Sequence, residues 1–321
     1  MHPRGHHRVT AMKQIIVGSR ESRLAVIQTM TLVDHLRAVC PEAQVTVRTM
    51  KTTGDKILDR TLDKVGGKGL FVKEIEEALL SGAADLAVHS MKDVPMVLPE
   101  GLTLGAVPER EVCTDLFLSE TYATLEDLPQ GAKLGTSSLR RQSQALALRP
   151  DLEVAMLRGN VETRLRKMKE GQYDAIILAR AGVKRLGLGA SLQQDLTPPS
   201  FLPAVGQGAL GIEIRDDRPE MRELVAFLDH TPTRLCVTAE RAFLRRLDGG
   251  CQVPIAAHAV LDGEELVLEA LVADPLGKVV FRDTVRCAAT LEEADAAGRK
   301  LAEKLLADGA DKILAELYQA E

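Results

Sequence analysis

Three stretches set arginine beside Ser, Thr or Asn where a strand-like run gives way to a helical pattern. They are Ser19-Arg20-Glu21-Ser22, Thr136-Ser137-Ser138-Leu139-Arg140-Arg141, and Leu157-Arg158-Gly159-Asn160 with Arg164 just beyond. A helix start offers unpaired N–H groups and the positive end of the macrodipole, and a guanidinium adds a planar fork for carboxylates. Any one of these reads first as an ordinary N-cap beside a solvated arginine. Three of them at strand ends, where open α/β folds bind ligands, predict a polyanionic ligand. Lys92-Asp93 follows the apolar run Asp85 to Val88, a place where a carboxylate is partly desolvated and held by cations. Such an Asp suits acid–base work or a developing cation, although Asp before Val94-Pro95 also suits a plain turn. Cys251 sits in Asp248-Gly249-Gly250-Cys251-Gln252-Val253-Pro254, where turn-formers hold a loop and an accessible thiol is fit to be a nucleophile or a covalent tether.

Cys40, Cys113, Cys236 and Cys287 lie in apolar surroundings and read as inert core thiols. An odd number of cysteines without a CxxC pair argues against a disulfide scaffold or a zinc site, and the lack of HExxH or HxxE spacing predicts no metal. His258, the histidine nearest Cys251 in sequence, falls in a strand-like run, and His89 reads as a strand-end packing residue. Lys plus Arg number 41 against 46 Asp plus Glu, a net charge of −5, so general attraction to nucleic acid is disfavoured and any anion must meet a local basic cluster. Aromatic residues are 3% with no Trp, too few for base-stacking platforms. At 45% apolar and 27% charged, the 321 residues suit two or three packed domains. No apolar run is long enough to span a membrane and residues 1–11 lack an apolar signal core, which predicts a cytoplasmic protein.

The elements that must position these residues follow a repeated grammar. A strand over 13–19 leads into a helix to about Val39, Pro41 ends it, and a second strand covers Gln44 to Met50. The polar, Gly-rich stretch Lys51 to Gly69 reads as a loop over a site, followed by a helix over 70–80 and a strand over 85–88. The pattern restarts after a hinge around 107–115, with strand-to-helix passages at 133–141, 152–164 and 173–185. A second crossing runs through Thr197 to Glu213. Strands alternating with helices at this spacing predict parallel α/β sheets, in two domains facing a cleft. From Thr231 the pattern becomes one helix, strands near 255–260, 265–272 and 279–285, and terminal helices, a small α+β domain.

Seven blocks in order carry a specific likeness: VGGKGLFVKEIE (Val65 to Glu76), DLAVHSMKDVP (Asp85 to Pro95), GTSSLRRQ (Gly135 to Gln142), LRGNVETRL (Leu157 to Leu165), YDAIILA (Tyr173 to Ala179), LPAVGQGALGIE (Leu202 to Glu213) and GGCQVP (Gly249 to Pro254). From about Ile15 to the C-terminus the chain resembles the porphobilinogen deaminase (hydroxymethylbilane synthase) family. Residues 1–11 fall outside the likeness, which points to Met12 as the natural start. The resemblance implies two periplasmic-binding-protein-like α/β domains around a cleft, 12–108 with 209–228 and 109–208, plus a smaller α+β domain, 229–321, bearing the cofactor. It implies a transferase of tetrapyrrole and heme biosynthesis that joins four porphobilinogens head to tail with release of ammonia, and the expected enzyme is a monomer with no nucleic-acid or membrane partner. By the same likeness Cys251 holds a dipyrromethane cofactor through a thioether, with no metal. Asp93 is the catalytic carboxylate. Lys92, Arg140, Arg141, Arg164 and Ser22 match cofactor-binding positions, and Arg20, Ser22, Arg158, Arg164 and Arg185 match substrate-binding ones. Lys64, Lys68 and Phe71 belong to the closing loop. Glu21 and Glu162 add negative charge beside the anion sites.

A solute-binding or sensor protein with an arginine-lined cleft is the competing expectation, and a polyanion-binding structural protein a weaker one given the net negative charge. The loop Cys251 separates them, since a binder has no use for it.

Overall fold

The computed structural model describes residues 13–56, 71–249 and 253–319. In chain order it contains β1 (Gln14–Arg20), α1 (Arg23–Val39), β2 (Gln44–Met50), α2 (Thr53–Lys56), α3 (Lys73–Leu80), β3 (Leu86–Ser90) and β4 (Leu102–Ala106). There follow β5 (Asp115–Ser119), β6 (Lys133–Gly135), α4 (Leu139–Leu148), β7 (Glu153–Ala155), α5 (Val161–Lys169), β8 (Ala175–Ala179), α6 (Arg180–Leu186) and β9 (Leu192–Leu196). The chain closes with β10 (Leu210–Arg215), α7 (Pro219–Val225), α8 (Thr231–Arg246), β11 (Ile255–Asp262), β12 (Glu265–Ala273), β13 (Val280–Ala288), α9 (Leu291–Leu305) and α10 (Asp311–Gln319). These elements divide into two compact units. The first holds the described residues up to 56, those from 71 to 109, and 210–230; the second holds 110–209 and the described residues from 231 on.

The first unit is built on a sheet of order β2-β1-β3-β10-β4. β1 runs parallel to β2 and β3, whereas β10 is antiparallel to both β3 and β4. The sheet is therefore mixed rather than parallel as the alternation of strands and helices predicts. A βαβ crossover keeps neighbours parallel, but β10 re-enters after the second unit's strands instead of over a helix, so nothing forces its direction. β3 reads LAVHS and its first four residues are buried, as a strand covered on both faces must be. One face packs Ile15, Val17, Leu32, Val33, Leu36 and Ile212; the other packs Ile75, Leu79, Ala84 and Ala87.

The second unit repeats the arrangement as β7-β6-β8-β5-β9, with β6 parallel to β7 and β8, and β5 antiparallel to β8 and β9. Its cores lie on the two faces, around Phe117, Leu134 and Phe201 on one and Leu118, Leu157 and Ile176 on the other. The same unit carries the antiparallel sheet β11-β12-β13, against which α8 and α9 pack. This is the small α+β region expected from the change of pattern at Thr231. The hinge expected at 107–115 ends in strand, because Asp115 opens β5, and the expected loop from Lys51 begins as the short helix α2.

Candidate active site

In the first unit the site grows from the ends of β1 and β3. Ser22 caps α1, accepting a hydrogen bond from Ala25 N at 3.3 Å, so its hydroxyl oxygen serves the helix as the simplest reading of the motif requires. Arg20, the last residue of β1, reaches Asp93 with 3.9 Å between Nη1 and Oδ2, a long and partly solvated pair. The Arg20 guanidinium also lies 4.5 Å from the ring centre of Phe71, a cation–π contact. Gly54 makes that ring position possible: a Cβ there would sit 2.3 Å from the Phe71 ring. Asp93 closes the 3-10 turn Met91–Asp93 that ends β3, with Lys92 beside it in the same turn. A small pocket is lined by Arg20, Gln28, Phe71, His89, Ser90 and Asp93, and Gln28 Nε2 donates to Ser90 Oγ at 3.1 Å. Lys64 and Lys68 lie outside the described residues, as does most of the stretch 51–69 expected to be a loop.

In the second unit the two remaining arginine motifs sit where β6 and β7 give way to α4 and α5. Ser138 and Asn160 cap these helices through Arg141 N at 3.4 Å and Thr163 N at 2.8 Å. Gly159 holds φ at 116°, a backbone a side chain would resist, and this lets Arg158 and Asn160 flank the turn. Arg140 and Arg141 are not open forks. They are 4% and 6% exposed, and both grip Asp115. Arg140 Nη1 donates to Asp115 Oδ2 at 2.6 Å and to the Leu202 carbonyl at 2.8 Å; Arg141 Nε donates to Asp115 Oδ1 at 2.8 Å. Burial works against the Asp115 charge, but the two arginines outweigh it and hold the carboxyl down at about 2. The adjacency that suggested two forks for a ligand instead spends much of both guanidiniums on one internal carboxylate. Arg164, by contrast, is pushed down to about 10 by burial and then by the charges of Arg141 and Arg158. Its Nε donates to the Gly159 carbonyl at 2.8 Å, which fixes the plane of the guanidinium. Arg185 stands apart from this cluster, donating to the Gly208 carbonyl at 3.0 Å near Glu111.

Cys251 lies outside the described residues. Of the other thiols only Cys236 is buried; Cys40, Cys113 and Cys287 are half-buried. Burial raises all of them, so the expectation of inert thiols stands on desolvation rather than on full enclosure. Sequence reasoning missed two contacts. Cys113 Sγ lies 3.4 Å from His258 Nε2, and Asp115, whose two oxygens organise Arg140 and Arg141, carried no motif at all. Among the described residues no group of His, Cys, Asp and Glu is arranged to hold a metal ion, and no helix is long and apolar enough to cross a membrane.

Two mixed α/β sheets carry arginine-bearing helix starts, and a small pocket with Arg20, Asp93 and Phe71 lies at a strand end, an arrangement whose cations suit an anionic ligand. Family models narrow it: residues 15–223 match "Porphobilinogen deaminase, dipyromethane cofactor binding domain" and 234–307 match "Porphobilinogen deaminase, C-terminal domain". The chain belongs to the porphobilinogen deaminase family, hydroxymethylbilane synthases that are transferases of tetrapyrrole biosynthesis with a dipyrromethane cofactor. A porphobilinogen deaminase of Nitratidesulfovibrio vulgaris (strain DSM 19637 / Miyazaki F) is 59% identical over 310 residues, 96% of this chain and 98% of that relative. One of Chromobacterium violaceum is 53% identical, covering 95% and 98%. Among solved structures, the Escherichia coli periplasmic aliphatic sulphonate binding protein SsuA superposes with a TM-score of 0.40 at 15% identity, covering 73% of this chain and 70% of that one. An ancestral cationic amino acid solute binding protein gives 0.42 at 16%, covering 67% and 88%.

Proposed function

We propose that the chain condenses four porphobilinogens to hydroxymethylbilane with Asp93 as the catalytic carboxylate and Cys251 as the point of cofactor attachment. The observation that carries this is the gathering of Arg141, Arg158 and Arg164 around the starts of α4 and α5, where burial first and then the charges of Arg141 and Arg158 lower Arg164 to about 10, a cost that entering carboxylates relieve. A dipyrromethane bears acetate and propionate groups, so the residues present fit the group. When bound, it supplies the pyrrole carbon to which the first porphobilinogen is joined.

The residues divide the work. Arg141, Arg158 and Arg164 hold carboxylates at the starts of α4 and α5, and Arg140, spent on Asp115 and the Leu202 carbonyl, keeps Arg141 in place. Ser22 and Lys92 add polar contacts at the ends of β1 and β3, and Arg185 meets carboxylates beside Gly208. Arg20 orients Asp93, whose charge opposes the cation that forms as the aminomethyl group of porphobilinogen departs as ammonia; fixed charge aimed at a developing one is the largest kind of catalytic effect. Phe71 stacks on Arg20 beside that pair, and by the family likeness Lys64 and Lys68 act with it. The domains are 12–108 with 209–228, 109–208 and 229–321, and the enzyme acts as a cytoplasmic monomer on a small-molecule substrate.

The test is intact mass together with porphobilinogen consumption. The purified chain should exceed its sequence mass by one dipyrromethane, and Cys251→Ser should lack the adduct and the activity. A chain of unmodified mass that consumes porphobilinogen at full rate overturns the assignment of Cys251.

A further inference from the structure

Beneath the first-unit pocket lies a set of buried titratable groups to which the reaction as described gives no task. His89, next to last in β3, is 4% exposed and lines the pocket with Arg20 and Asp93. Its Nε2 lies 2.8 Å from Glu213 Oε2 on β10. Gly211 stands opposite His89 in the antiparallel register and brings no side chain, so the diagonal neighbour Glu213 reaches the imidazole. Glu76 comes to the same place from α3; it is 7% exposed, and Glu213 is 1% exposed. One oxygen of each carboxyl, Glu76 Oε1 and Glu213 Oε1, is buried without a hydrogen-bond partner among the described residues.

Two carboxyl groups beside one imidazole, in an enclosure that leaves two of their oxygens unpaired, cannot both ionise without cost. Glu76 is accordingly pushed up to about 7, first by burial and then by the charge of Glu213, with His89 opposing. The other strands packed on α3 bring little to offset this. β4 has no titratable side chain, β1 has only Arg20 out at the pocket over Phe71, and the remaining charge on β10, Arg215, is paired with Asp217 at the surface. On α3 itself Glu74 is occupied by Thr53.

We propose that Glu76 and Glu213 are positioning residues for the condensation, acting through His89: ionisation of Glu76 adds a negative charge beneath the pocket that favours the pyrrolic cation facing Asp93. This rests on the function proposed above. Asp93 and Arg20 meet solvent, but the cluster beneath them is buried, and across such an interior a charge acts on a cation without touching it. The same ionisation works against the fold. The folded chain keeps the Glu76 proton to higher pH than the unfolded chain does, so this group's contribution to stability is present at acid pH and is lost as pH rises through 7. Activity and stability therefore move in opposite directions over one window.

The test follows kcat, KM and Tm of the cofactor-loaded enzyme from about pH 5.5 to about pH 8.5, the window set by the displaced carboxyl. Wild type should gain about tenfold in kcat across it at nearly constant KM while Tm falls, the size expected of one ionisation. Glu76→Gln should stay slow with a flat profile and show the higher Tm at the alkaline end, and Glu76→Asp should restore the slope. Glu76→Gln with the wild-type profile overturns the proposal, as does a Tm that does not fall in wild type. If Glu76→Gln does not fold, infrared difference spectra of wild type across the same window decide: loss of a protonated-carboxyl band supports the proposal and its absence overturns it. An enzyme that turns over porphobilinogen without this limb defeats this inference alone, whereas one that never consumes porphobilinogen defeats the proposed function.

Discussion

Asp115 has no surface and no motif, yet it decides what the adjacent arginines can do. It divides one carboxylate between Arg140 and Arg141, with Gln207 Nε2 donating to it at 3.1 Å. Removing one partner of such a buried set strands the others, so Asp115→Asn should lose about 3 to 5 kcal/mol in urea unfolding. The pH dependence has a definite sign: the folded carboxyl lies below its usual value, so its contribution is present above about pH 4 and disappears as pH falls towards 2. The lowered value of Arg164 comes instead from burial and then from two other cations. Arg164→Leu should therefore fold as well as wild type and purify at the bare sequence mass, whereas Arg140→Leu should lose stability first and cofactor only as a consequence. A mass spectrum and a melting curve for each variant separate the two outcomes. Asp93→Asn belongs with neither. Being half-exposed and only loosely paired to Arg20, it should leave Tm nearly unchanged and cut kcat on the order of a hundredfold or more, the loss expected when a carboxylate facing a developing cation is neutralised.

At the scale of elements, the strand-to-helix passages were legible because each carries its own punctuation. Ser22, Ser138 and Asn160 are caps in the structure, and Gly159 takes the backbone only glycine adopts freely. The direction of β5 and β10 was not legible. Only β10 reads as a strand-like run, β5 follows the expected hinge without being read as a strand, and the antiparallel pairing of both follows from where the chain comes from, which no local pattern records. Strand β9, LQQDL, was missed for a related reason: its alternation of polar and half-buried residues is too weak to outweigh a loop reading. In the site, strand ends and helix starts marked Arg20, Asp93, Arg140, Arg141, Arg158 and Arg164, and the likeness to a family gave them roles; it gave none to Asp115, or to Glu76 and Glu213 at the ends of two of its blocks, whose importance comes from burial beside other charges. Phe71 shows the same dependence on neighbours. Its ring packs over the backbone of Gly54 in α2, so Gly54→Ala must push the ring away from Arg20. Gly54 is buried, so that variant should lose about 1 to 3 kcal/mol in urea unfolding, the range for overpacking, and should raise KM for porphobilinogen in steady-state kinetics.

Across the whole molecule, the C-terminal sheet is not a free appendage of the second unit. The turn between β12 and β13 presses against α4 at Gly277, where a Cβ would meet the Ser143 carbonyl at 2.1 Å, and Gln142 Nε2 donates to the Pro275 carbonyl at 3.0 Å. The stronger tie is Glu240 on α8, fully buried. One oxygen accepts from Arg110 Nη1 at 2.6 Å and from Ala259 N at 2.9 Å, and the other accepts from Arg110 Nη2 at 3.1 Å and Gly206 N at 2.7 Å. One carboxylate thus joins the entry to the second unit, the segment leading to β10, helix α8 and strand β11. Burial opposes the Arg110 charge, yet Glu240 more than compensates and the guanidinium is held above its usual value. Glu240→Gln keeps the shape, replaces two acceptors by one and leaves Arg110 without its counter-charge. The expected loss is about 3 to 5 kcal/mol, the range for breaking a buried ion pair from one side. Urea unfolding should show it as a lower midpoint. If the sheet β11-β12-β13 and the β5 to β9 unit are one cooperative body, both lose structure in a single transition at that lower midpoint. Hydrogen exchange would instead show β11 and β12 opening ahead of β5 and β8 if Glu240 serves only as a local clamp, and that result would separate the two sheets as folding units.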